Sequence, residues 1–184
     1  RSQSRVGNDA VLSSSTLIIA LTDAFMALTT LDEQRTFLDT LGPGSAPHLT
    51  ITLASRILHR LGESPSSTPP KSYTDLIARL KCQRNATPTA ILLKTRLALA
   101  ALTDRPKLAA GGGSRLELVE CLRRLSEAAE TSVGVGCGAG LRLAAECMHT
   151  EDPPMPPTDE PAAAEPMEVV EEVPAPAAAV AAAP

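Results

Sequence analysis

The chain has 184 residues, 43% of them apolar, yet it contains no Trp, one Tyr and two Phe. Leu and Ala must therefore fill any core, and because both enter helices at little entropic cost, the composition points away from a β-rich protein and towards an all-α one. The net charge of -4 conceals an asymmetry: eight of the 21 acids lie in residues 150–184, which hold no Lys or Arg, so the remainder carries 17 basic against 13 acidic residues.

Residues 1–11 read as a flexible N-terminus. Beyond them, a Ser-rich cap precedes a helix expected near 15–28, with Leu17, Leu21, Ala24, Phe25 and Leu28 on its inward face. Thr30 and Glu33 have the spacing of a capping box, so a second helix starts there and ends at Gly42-Pro43-Gly44. Pro47 suits the first turn of a third helix over about 47–61, with Ile51, Ala54, Leu58 and Leu61 as its stripe and Gly62 as its stop. The stretch 62–71 is rich in Pro and Ser and reads as a linker; Ser64-Pro65 and Thr68-Pro69 within it satisfy the minimum that a proline-directed kinase requires.

A fourth helix follows, with Leu76, Ile77 and Leu80 facing inward and Arg79 and Lys81 elsewhere on its circumference. Thr87-Pro88 opens a helix interrupted only by Lys94, Thr95 and Arg96; being apolar nearly all round, it is the expected centre of the core. Ser114 and Glu117 repeat the capping-box spacing ahead of a helix whose inward residues are Leu118, Leu122, Leu125 and Ala129, with Glu120 and Arg124 paired outside. A short last helix covers Gly140 to His149. The whole is expected to be an irregular bundle of about six or seven short helices over 12–149, followed by an acidic, Pro/Ala-rich disordered tail over 150–184.

Two segments are loosely similar to known families. Asp23 to Leu58 resembles the helical dimerisation segment that precedes the F-box in some WD-repeat ubiquitin-ligase adaptors, and Tyr73 to Leu102 resembles the early helices of fungal-type cyclin boxes. Neither an F-box with propeller repeats nor the remainder of a cyclin box follows, so no residue takes a role from either.

Gly134, Gly136 and Ala139 satisfy a dinucleotide-binding fingerprint, with Asp159 and Glu160 about twenty residues on. The residues before them read as a charged amphipathic helix where a dinucleotide site needs a buried strand. No Gly-Lys-Ser/Thr follows to make a phosphate loop, and the run is expected to be a connection between helices. Cys121, Cys137, Cys147 and His149 lack zinc-ligand spacing; the cysteines read as reduced thiols, Cys121 and Cys147 as small apolar side chains on helices and Cys137 in a loop. His48 and His59 flank a helix without forming a dyad. No catalytic, cofactor or metal constellation emerges, and no enzyme activity is expected.

The leading expectation is a non-catalytic protein-interaction module, adaptor or regulatory, with a protein partner or self-association. Met167, Val169, Val170 and Val173 in the tail offer a short acidic and apolar partner motif. The alternative is a helical nucleic-acid binder that uses Lys71, Arg79, Lys81, Arg84, Lys94, Arg96, Arg105 and Lys107, with the acidic tail as its inhibitor. With no apolar run of about 18 residues and no signal-like opening, an intracellular protein, cytoplasmic or nuclear, off the membrane, is expected.

Overall fold

The computed structural model describes residues 5–41, 47–81 and 86–150, with side chains described from Ser14 onward. The described residues are helical without strands: α1 (Arg5–Ala27), α2 (Leu31–Thr40), α3 (Pro47–Arg60), α4 (Tyr73–Leu80), α5 (Pro88–Ala101), α6 (Arg105–Ala110), α7 (Arg115–Ser132) and α8 (Ala139–Thr150), with a 3-10 turn at Leu102–Asp104 before α6. Seven of these run to eight residues or more, and α6 is a six-residue piece between α5 and α7. Gly42-Pro43-Gly44, Arg84, the tail and its Met167, Val169, Val170 and Val173 motif lie outside the described residues.

Local chemistry accounts for the ends of the elements. Thr30 accepts the N–H of Glu33 and the Glu33 carboxylate accepts the N–H of Thr30, closing the capping box of α2. At the end of α3, Gly62 adopts φ +74° and donates to the His59 carbonyl while Glu63 N–H donates to Leu58, the pairing that stops a helix on a left-handed residue. Ser72, Thr87 and Ser114 cap α4, α5 and α7 through their hydroxyls. The start of α1 differs from expectation: the helix is already formed at Arg5, and Ser13 to Ser15 lie within it, since serine disfavours a helix interior by only a few tenths of a kcal/mol.

Helices α1, α3, α5 and α7 form a row in which each packs on the next, with α2 against α5, α4 against α5 and α7, and α8 against α7 and α5. As expected, α5 is central: Ala90, Leu93, Leu97 and Ala98 are fully buried. The inward stripe of α7 also holds, through Leu118, Leu122, Leu125 and Ala129. Phe25 of α1 meets Phe37 of α2 edge to face at 5.8 Å, a geometry worth about 0.5–1.5 kcal/mol beyond burial.

The stripe is rotated from expectation on α1 and wider than expected on α3. Ile18, Thr22 and Phe25 form the buried line of α1, while Leu17 and Ala24 face outward. Thr22 tolerates burial because its hydroxyl donates to the Ile18 carbonyl at 2.7 Å. On α3, Leu53, Ser55 and Ile57 are buried beside Ile51, Ala54 and Leu58, and Leu61 is exposed.

Candidate functional site

The glycine-rich turn between α7 and α8 is built around the chain's own carboxylate. Glu130, in the last turns of α7, accepts the N–H of Gly136 at 2.7 Å and of Gly138 at 3.0 Å, occupying amides of the kind that would cradle a phosphate. Arg35 reaches the same turn from α2, donating to the Val133 carbonyl at 3.0 Å and to Cys137 Sγ at 2.9 Å. Gly138 sits so close to α7 that a Cβ would lie 2.4 Å from the Ser126 carbonyl oxygen, and Ser126 Oγ donates to the Gly138 carbonyl. The turn is a packed joint that fixes α8: Leu141, Ala145 and Met148 are fully buried. Sequence spacing could not have shown the Arg35 contact, which joins residues 102 positions apart.

Of the seven described residues in the expected nucleic-acid patch, two are buried. Lys94 is 0% exposed, donating to Glu63 at 2.9 Å and to the Lys81 carbonyl at 3.1 Å. Arg79 is 1% exposed: two of its nitrogens grip the Asp75 carboxylate at 2.9 and 3.0 Å, and its third reaches Ser55 and the carbonyls of Ser66 and Thr68. The Pro/Ser-rich stretch after α3 is thereby tied to α3 and α4 by a buried guanidinium. Arg96 pairs with Asp39, Lys81 with Glu117 and Lys107 with Asp104, whose hydrogen bond raises the Lys107 pKa above its ordinary value. Lys71 is exposed and Arg105 half-buried. Burial thus removes Arg79 and Lys94 from any phosphate contact, and acids accompany three others.

The cysteines and histidines are equally dispersed. Cys121 is half-buried on α7, Cys137 half-buried in the turn beside Arg35, and Cys147 exposed on α8. Among the described residues no group of three His, Cys, Asp or Glu is placed to hold a metal ion. His59 contacts the Ser64 carbonyl, whereas His48 stands at the other end of α3. A cleft of 520 Å³ between α4 and α7 has an apolar floor of Ile77, Leu80 and Leu125; on its rim Lys81 faces Glu117 and Arg124 faces Glu120.

Large apolar side chains are exposed singly at Leu116, Val135 and Leu143, and α1 carries three. Leu17, Ile19 and Met26 are 51%, 45% and 39% exposed, and Ala20, Ala24 and Ala27 beside them are exposed as well. From Ala10 to Thr22 the helix contains no charged residue. A helix apolar on most of its circumference calls for neighbours on more than one side; among the described residues α1 packs on α3 and, through Phe25, on Phe37 of α2.

Comparison with protein-family models, curated proteins and solved structures returns no match to this chain. No helix among the described residues is long and apolar enough to cross a membrane.

Proposed function

We propose that this chain is a non-catalytic helical interaction module that engages a protein, a partner or a second copy of itself, through the outer face of α1. The observation that carries this reading is the exposure of Ile19 and Met26, seven positions apart and so on one face of a helix that already packs on α3 with another. Fully burying an aliphatic side chain is worth about 1.5–3 kcal/mol, so covering these two half-exposed ones contributes roughly 2 kcal/mol, about thirtyfold in affinity. The interior polar groups serve structure on this reading: Arg79, Lys94 and Glu130 hold loops and helix ends in place.

Placing a photo-crosslinking residue at position 19 tests it, with Arg123 on the exposed side of α7 as control. An adduct with a protein or a second copy is expected from position 19 and not from 123, and it should disappear when Met26 is replaced by Glu. Sedimentation measures self-association independently. A chain that stays monomeric across concentrations and gives the same adducts from both positions would end this reading.

A further inference from the structure

We propose that Thr68 is a phosphorylation site for a proline-directed kinase that also favours a cation three residues beyond the acceptor. Three hydroxyl residues in the sequence precede a proline: Ser64, Thr68 and Thr87. The fold treats them differently. Ser64 is 6% exposed, its hydroxyl donating to the Ser66 carbonyl and accepting the Ser66 N–H. Thr87 is the N-cap of α5, its hydroxyl accepting the Ala90 N–H, and Pro88 is already helical, so the residues after it do not present the extended backbone that a kinase groove binds.

Thr68 is exposed, and its hydroxyl shares a 2.9 Å hydrogen bond with the hydroxyl of half-buried Ser66. Pro69, Pro70 and Lys71 follow it in irregular backbone, and two prolines in succession favour an extended, preformed strand. Lys71, exposed, is the cation at the third position; Ser67 and Ala90 occupy that position after Ser64 and Thr87. The rigid part of the site lies underneath, where the buried Arg79 guanidinium donates to the Thr68 carbonyl and holds the loop in a fixed presentation.

In the reaction the γ-phosphorus of ATP forms a bond to Thr68 Oγ1, the bond to the bridging oxygen of ADP breaks, and the hydroxyl proton passes to the kinase's base or to solvent. The product carries about -1.5 to -2 charges at neutral pH. That charge arises beside Lys71 and the mouth of a 260 Å³ apolar cleft lined by His48, Ile51, Pro69, Pro70 and Lys107. Modification therefore changes the electrostatics of that surface without touching the core. This proposal stands independently of the α1 reading.

The test incubates the full chain with MgATP and a cyclin-dependent kinase and locates phosphate by tandem mass spectrometry. One phosphate per chain, on Thr68, is expected. It should be absent in T68V and retained in S64A, and K71Q should slow its incorporation at least fivefold. A synthetic peptide spanning residues 61–72, in which no fold protects Ser64, should be modified at Ser64 more readily than the chain is. Absence of phosphate on Thr68 in the chain, or equal rates at Thr68 and at Ser64 or Thr87, overturns the proposal; an unchanged rate in K71Q removes the cation from it. Circular dichroism of T68V and K71Q confirms that a loss reports the site and not the fold.

Discussion

Glu33 gives the start of α2 a pH response of its own. The N–H of Thr30 is the main cause that lowers its pKa below the ordinary glutamate value, aided by the Thr30 hydroxyl and the Thr29 N–H. A carboxylate whose folded pKa is depressed contributes stability above its unfolded pKa and loses it as pH falls through the folded one. Acidification below the usual carboxylate range should therefore fray the start of α2, and E33Q should flatten that dependence. NMR titration of the Glu33 carboxyl carbon checks this, and a midpoint at or above the ordinary value refutes it. The Lys94–Glu63 pair makes a sharper prediction because its partners differ in exposure, 0% against 18%. E63Q leaves a fully buried ammonium without its counter-charge and should cost about 3–5 kcal/mol. K94M leaves a carboxylate that water can reach and puts an apolar chain in the core, so it should cost less. Urea unfolding of the two variants decides the order, and equal losses would show that the pair is not governed by burial.

At the scale of elements, the α7–α8 joint separates two reasons for a glycine. Gly136 has φ +86° with open space around it, so G136A should cost only the left-handed backbone term, about 1–2 kcal/mol. A methyl at Gly138 would press on the α7 backbone at Ser126, and G138A should cost about 3 kcal/mol because the helices must separate. Thermal unfolding that ranks the two the other way would mean the joint is looser than its geometry. What was legible in the sequence follows the same division between local and distant contacts. The α2 capping box, Pro47 and Gly62 of α3, Thr87 of α5 and the α7 stripe depend on residues within a few positions of one another, and all appear as expected. Lys94 reads as surface charge because Glu63, which neutralises it inside, lies 31 positions away; Arg79 has its carboxylate, Asp75, only four positions off, but the Thr68 carbonyl that helps bury it is 11 positions away. The exposed side of α1 was hidden for a related reason: where Leu17, Ile18, Ile19 and Leu21 are all apolar, periodicity cannot say which line a single partner will cover.

For the whole molecule, the row of helices makes α8 the cover over α7 and α5. Leu141, Ala145 and Met148 reach the core from it, and Glu130, Ser126 and Arg35 hold the turn that positions it. With so few aromatic side chains, stability is spread over many small aliphatic contacts, and each covering helix supplies a large share of it. Removing three fully buried apolar side chains forfeits on the order of 5 kcal/mol, comparable to the entire stability of a marginal domain. A chain ended after Gly138 should therefore lose its cooperative thermal transition, whereas one ended after Thr150 should keep it, because the described core closes within residues 14–150. E130A in the full chain gives an intermediate case: α8 keeps its apolar face, but the turn loses the carboxylate that accepts two of its amides. Hydrogen exchange should then accelerate in α8 and at Gly136 and Gly138 before it does in α3 or α5. Uniform acceleration across all helices would instead mean that α8 and the core open as one unit.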